Sequence, residues 1–395
     1  MLNKSGNREL VYVTKVARIE PIEGADKVEL AVIGAGWQVM VKKEQFHAGD
    51  LCVYFEIDSK VPETEQFEFL SKYHYKVKTQ KFLKGKVVSQ GLIMTPQELG
   101  LTDVHEGDFL TKQLGVTYSE PEDNTRKASS KDIIEKQVVI RLARWCKQHK
   151  LLSKYNWAVD IKTYLLRKEL VGKIKRDNKE WPNWVVKTDE ERCQNLPELF
   201  PGDGTWWVAT EKIDGSSTTF TMRQDKPRKR KAIVCSRNVV FNPKLDVNDY
   251  VEMYNKYNFE KVLNFILDSE RNCEYVTIQG EMYGPGVQKR TYGVSEKHLA
   301  IFNIIIKREG MIERRLNPVE MTSVVNTLNQ ELGLELECVP IIDTHFLIPE
   351  TCEELLLIAD GTSKLDGAIR EGLVFRDYKG QRSFKAVSNQ YLLTK

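Results

Sequence analysis

The chain has 395 residues, of which 41% are hydrophobic and 29% charged, with a formal net charge of +3. That length exceeds what one compact core usually absorbs, so two domains are expected, and the composition excludes a globally disordered chain. No apolar run approaches the ~20 residues that span a bilayer. The start, Met1-Leu2-Asn3-Lys4-Ser5-Gly6-Asn7, lacks the apolar core of a secretory signal, so a cytoplasmic, nucleoid or nuclear protein with no membrane partner is expected.

Residues 8–115 read as short strands separated by turns. Val11-Tyr12-Val13-Thr14-Lys15-Val16 alternates, and Pro21 to Gly24 turns the chain. Val28 to Ile33, Trp37 to Val41 and Leu51 to Ile57 follow at short spacing, with Gly34, Gly36 and Gly49-Asp50 as breakers. Lys81 to Val88 and Gly91 to Met94 are candidates to close the sheet. The pattern predicts a small OB-like β-barrel over 1–115. Residues 116–130 are polar and Pro-containing, and one helical stretch is expected from Lys131 to Lys175, ended by Asp177 to Pro182. Residues 116–183 are therefore assigned to a linker and a basic helical segment.

From Trp184 onward strands and helices alternate to the end. Trp206 to Glu211 is a strand running into Lys212, and Thr218 to Met222 and Ala232 to Cys235 form a hairpin pair with the basic cluster 226–231 at its tip. Asp249 to Leu267 is helical, and Tyr275 to Gly280 and Leu299 to Ile306 are strands. Asn317 to Leu332 and Glu350 to Ala359 are helical; Gly372 to Arg376 and Arg382 to Ala386 are strands. This is an α+β pattern with antiparallel sheets and flanking helices over 184–395. The seven cysteines are scattered, odd in number and never spaced Cys-x-x-Cys, which predicts reduced thiols and not a disulfide framework or zinc site.

Chemistry concentrates at Thr210-Glu211-Lys212-Ile213-Asp214-Gly215-Ser216-Ser217. A lysine amine attacks phosphorus only when deprotonated, so Lys212 as a nucleophile requires burial or neighbouring cations to lower its pKa from ~10.4. Gly215 permits a tight turn and close approach to a ligand. Lys-x-Asp-Gly is unspecific by itself. It is followed by Ser236-Arg237-Asn238, by Gly280-Glu281-Met282-Tyr283-Gly284, by Phe302-Asn303-Ile304, by Glu371-Gly372-Leu373-Val374-Phe375-Arg376, and by Ser383-Phe384-Lys385-Ala386-Val387.

In order and chemistry these stretches resemble motifs I, Ia, III, IIIa, IV and V of the covalent nucleotidyltransferases, the superfamily of polynucleotide ligases and mRNA capping enzymes. The small β-domain ahead of the catalytic core is similar to ATP-dependent RNA ligases of the Rnl5 type, an amino-terminal OB domain plus a nucleotidyltransferase domain. Tyr54-Phe55-Glu56-Ile57-Asp58, Lys78-Thr79-Gln80-Lys81-Phe82 and Lys187-Thr188-Asp189-Glu190-Glu191-Arg192 carry that likeness as well.

The resemblance implies an RNA ligase that uses ATP and Mg²⁺, or Mn²⁺. It would join 5′-phosphate and 3′-hydroxyl RNA ends at nicks in duplexes, working as a monomer. Lys212 would attack the α-phosphorus of ATP, releasing pyrophosphate, and AMP would pass from the lysine to the 5′ end. Glu211 would read adenine, with Asp214 and Gly215 completing the turn. Arg237 would take the ribose side or a phosphate, Glu281 a ribose hydroxyl, and Phe302 would stack on the base. Glu371 would hold the metal and Lys385 would neutralise the α-phosphate, while Arg192 is a candidate phosphate contact. Two features depart from the family: no second lysine flanks Lys385, and the basic segment 131–176 is longer than a simple linker. A DNA ligase, a GTP-dependent capping guanylyltransferase and a non-catalytic nucleic-acid-binding protein are the alternatives.

Overall fold

The computed structural model describes residues 8–34, 36–119, 130–174, 181–187, 189–226 and 229–395. Most of the expected linker, the helix-ending residues 177–180, Thr188 and Pro227-Arg228 of the basic cluster lie outside them.

The amino-terminal domain is an OB-type barrel built on one long strand, Val11–Pro21. Its first half pairs with Leu51–Phe55 and its second half with Val28–Ile33, and a bulge between Val16 and Arg18 bends it from one partner to the other. Trp37–Lys42 and Leu92–Met94 complete the order Trp37–Lys42, Val28–Ile33, Val11–Pro21, Leu51–Phe55, Leu92–Met94. The expected strand over Lys81 to Val88 is instead a hairpin, Thr79–Phe82 with Val87–Gln90, because Leu83 and Gly85 adopt positive φ between them. Ser89 Oγ accepts a 3.0 Å hydrogen bond from Met40 N, bringing the last strands against Trp37–Lys42 and nearly closing the barrel. Its interior is filled from two sides, by Val13, Val53, Phe55 and Phe67 and by Val16, Ile33, Trp37 and Tyr54.

Gly91 sets the corner between Val87–Gln90 and Leu92–Met94. It has φ of 108°, and a Cβ there would sit 2.4 Å from the Tyr54 ring and 2.7 Å from Phe55 O. Gly91→Ala is therefore expected to cost roughly 2–4 kcal/mol of barrel stability, measurable as an earlier denaturation midpoint.

The basic segment forms two helices, Ser130–Gln148 and Asn156–Ile174, and not one. A short 3-10 turn at Leu152–Lys154 separates them, and they fold back on each other. The hairpin docks through Val138, Leu166 and Leu170 onto Leu245 of the following domain.

The carboxy-terminal domain carries two largely antiparallel sheets. One runs Glu191–Arg192, Ser383–Val387, Gly372–Asp377, Trp206–Lys212, Ile341–Leu347; the other runs Val240–Phe241, Lys229–Cys235, Ser216–Lys226, Cys273–Tyr283, His298–Arg308, Arg314–Arg315. The main core packs Phe220, Phe259, Val276, Ile278 and Ile304 beneath the second sheet. Helix Pro318–Leu332, expected from the sequence over Asn317 to Leu332, starts on a capping box from Asn317 and Glu320.

The second domain departs from the expected elements at two places. The single helix over Asp249 to Leu267 is split into Asp249–Lys256 and Phe259–Ser269, because Asn258 turns left-handed at φ 50°. Ile341–Leu347 is an additional edge strand without a continuous apolar pattern, since Asp343, Thr344 and His345 interrupt it. The fold class itself is α+β, an OB-type barrel followed by a domain of antiparallel sheets with flanking helices.

Candidate active site

A cleft of about 640 Å³ is lined by both sheets of the second domain. Trp206–Lys212 is an inner strand of its sheet, paired with Gly372–Asp377 from Trp207 to Lys212. Its buried residues Trp207, Val208 and Ala209 fix it, and it delivers Lys212 to the cleft at its last position. Lys212 is in register with Gly372, so Glu371 lies beside it at the start of the neighbouring strand. Lys212 Nζ donates to Glu371 Oε2 at 2.8 Å, with side-chain exposures of 26% and 13%.

Sequence chemistry asks for a lowered pKa at Lys212, and the structure gives the opposite direction. Burial acts to lower it, but Glu371, Glu281 and Asp214 together raise it above the ordinary lysine value. The carboxylates outweigh desolvation because three of them converge on one ammonium. Glu281 pays for that crowding: burial first, then Glu371 and Asp214, push its carboxyl up to about 8, with Lys212 opposing.

A raised carboxyl pKa has a defined sign. The folded state holds the Glu281 proton more tightly than the unfolded chain, so its contribution is fully present below the unfolded value and is lost as pH rises through about 8. Glu281→Gln is expected to gain on the native protein progressively from pH 4.5 up to about 8 and to keep a constant advantage above that, of roughly 3–5 kcal/mol. Thermal unfolding without nucleotide or metal would show it; a gap independent of pH would remove this account.

Gly215 is required by the protein's own backbone. A Cβ at that position would lie 2.3 Å from Met282 O and 2.8 Å from Glu281 Cγ, so glycine lets the Lys212 turn press against strand Cys273–Tyr283. Asp214 is buried, and both its oxygens are engaged: Tyr391 Oη donates to Oδ2 at 2.5 Å and Lys395 Nζ to Oδ1 at 2.8 Å. Glu211 is 1% exposed; its Oε2 accepts from Lys364 N at 2.8 Å, while Oε1 has no partner among the described residues.

Phe302 lines the cleft from strand His298–Arg308, and its carbonyl is held by Arg376 at 2.9 Å. Arg237 follows strand Lys229–Cys235 and donates to Asp189 Oδ2 at 2.8 Å. Lys385, on Ser383–Val387, donates to Asp189 Oδ1 at 2.7 Å. Burial lowers the Lys385 pKa; Asp189 opposes this, while Lys212 and Arg192 add to it. Thus Glu211, Lys212, Asp214, Gly215, Arg237, Glu281, Phe302, Glu371 and Lys385 all line one cleft.

Arg192 does not join them. Its backbone pairs with Lys385, but its guanidinium lies 5.6 Å over the Trp37 ring of the barrel. Conversely, Lys395 and Asp189 line the cleft although neither stood out in the sequence. Helix Asn389–Thr394, capped by Ser388, carries the chain end back under the Lys212 turn. A lysine ten residues beyond Lys385 has no local signal; only the helix brings it there.

The same layout is found in known proteins. An OB-fold domain model matches residues 10–96 and an RNA ligase model matches residues 205–387. The second domain is an RNA ligase domain. A lysine-to-alanine mutant of the Naegleria gruberi RNA ligase with ATP and Mn is 27% identical, with a TM-score of 0.69 over 98% of this chain and 99% of that one. The Naegleria gruberi enzyme with PPi is 28% identical with a TM-score of 0.67, again over 98% and 99%. A glutamate-to-alanine mutant with AMP and Mn gives 27% and 0.68 over the same shares. No curated protein matches the sequence significantly. As RNA ligases act on RNA, RNA is this ligase's substrate class. Among its described residues no helix is long and apolar enough to cross a membrane.

Proposed function

We propose that this RNA ligase is ATP-dependent, carries AMP covalently on Lys212, and seals 5′-phosphate to 3′-hydroxyl RNA ends at nicks in duplexes. The observation that carries the proposal is Lys212 Nζ against Glu371 in a cleft that Lys385, Arg237 and Lys395 also line. Its amine would attack the α-phosphorus and break the bond to pyrophosphate. AMP would then pass to the 5′-phosphate oxygen, and the 3′-hydroxyl would displace AMP. Lys385 and Arg237 would hold phosphate oxygens, with Lys395 supplying the second cation that no residue flanking Lys385 provides. Glu281 would meet the ribose and Phe302 would stack on the base.

ATP over GTP is supported by Glu211. Its buried Oε1 lacks a hydrogen-bond donor among the described residues, which suits the 6-amino group of adenine. Guanine would present an acceptor oxygen to an acceptor. The Naegleria gruberi structures with ATP agree with that choice.

The donor set also fits a divalent cation that keeps most of its own shell. Among the described residues no group of three His, Cys, Asp or Glu side chains is arranged to hold a metal alone. Glu371 with substrate phosphates is what a Mg²⁺-type ion requires. Bound Mg²⁺ or Mn²⁺ would neutralise phosphate charge. Engaging Glu371 with a cation also withdraws a carboxylate that holds the proton on Lys212, freeing the amine.

The test is incubation with α-labelled ATP and Mg²⁺ or Mn²⁺, then a chase with nicked duplex RNA. Labelled protein that discharges onto the nick supports the proposal. Labelling with GTP alone would replace it with a capping-type reaction, and sealing confined to DNA 3′-hydroxyl ends would replace it with a DNA ligase.

A further inference from the structure

Asp189 joins two cations that come from different sheets. Its Oδ1 accepts from Lys385 Nζ at 2.7 Å and its Oδ2 from Arg237 Nη2 at 2.8 Å. Each oxygen therefore stands where an oxygen of a phosphate must stand to reach the same donor. We infer that Asp189 is a built-in anion that competes with phosphate for Lys385 and Arg237, setting how tightly the cleft holds nucleotide phosphates and how readily pyrophosphate leaves. This rests on the proposed reading of those two cations as phosphate ligands.

The surroundings suit an exchangeable group. The backbone beside Asp189 is pinned, because the Glu190 carboxylate is bound by Arg376 at 3.1 Å and Arg192 pairs with Lys385 in the sheet. The Asp189 side chain is 39% exposed, so it can rotate away without moving the strand. The barrel domain supplies the neighbouring charges Arg8 and Asp58, with Tyr118 near them, so this contact lies where the two domains meet. Asp189 lines the cleft and bonds the two groups a phosphate would use.

The experiment is titration of inorganic pyrophosphate, by calorimetry and by thermal shift, into the native protein and Asp189→Asn. The amide keeps size and shape but lacks the charge. Binding about ten-fold tighter in Asp189→Asn is expected, since one charge-assisted competitor is lost. Equal or weaker binding overturns the inference and would make Asp189 a positioning residue for Lys385. Asp249→Asn is the control for a general field effect, because Asp249 lines the same cleft but pairs with Lys297 at 2.7 Å. An equal gain there also overturns it. In the Lys385→Ala background the Asp189→Asn gain should fall to no more than about two-fold, the coupling expected of groups in contact. If the native protein bound no pyrophosphate, the phosphate-site reading itself would fall and this inference with it. Asp189→Ala, tested alongside, guards against misfolding of the amide variant.

Discussion

A Lys212→Met protein is expected to form no covalent adduct with α-labelled ATP under conditions where the native chain is labelled. The amine ends strand Trp206–Lys212 inside the cleft, and methionine keeps its length without its nucleophilicity. The substitution also has a structural cost. It leaves Glu371 facing Glu281 and Asp214 without the ammonium that compensates them. The expected destabilisation is about 1–3 kcal/mol, less than for a fully buried pair because Lys212 keeps access to water. Circular dichroism and thermal unfolding separate the two effects. A folded variant that still acquires label would move the nucleophile elsewhere in the cleft, and the covalent reading of this turn would have to be abandoned.

Lys385→Ala should slow adenylation by about 10²–10³-fold, the size found when one preorganised donor is removed from a site of developing charge. The same change strips Asp189 of its closer partner and leaves it to Arg237 alone, which adds an uncompensated carboxylate to the cleft. Lys385→Arg should recover part of the rate, since the charge returns on a planar fork of different geometry. Single-turnover labelling at saturating ATP is the measurement that isolates the step. A loss below about ten-fold would mean that Arg237 and Lys395 carry the phosphate charge without it.

The two variants probe different parts of one arrangement. Lys212 and Glu371 are neighbours across adjacent strands of the first sheet, so their contact follows from register. Lys385 and Arg237 reach each other only through Asp189, across the cleft. Changes in the first pair should alter chemistry, and changes in the second should alter phosphate affinity as well.

The barrel, the antiparallel sheets and the order of the reactive motifs were legible from residues alone. The alternation read in Val11 to Val16 and the Lys-x-Asp-Gly turn are local signals, set by side-chain period and turn chemistry over a few residues. Breaks inside helices were less legible. Asn258 ends a helix by turning left-handed, and nothing in its neighbours' apolar spacing announces that.

What only the tertiary structure decided is the electrostatic state of the site and the residues that complete it. The direction of the Lys212 pKa depends on three carboxylates contributed by residues 214, 281 and 371, which lie apart in the chain and meet only when two sheets pack. Lys395 enters the cleft because a short helix folds back onto Asp214, and Arg192 leaves it because Trp37 of the barrel offers its ring. Sequence spacing fixes which groups a strand presents. Coulomb interaction and burial depend on distances between elements, and those exist only in the folded chain.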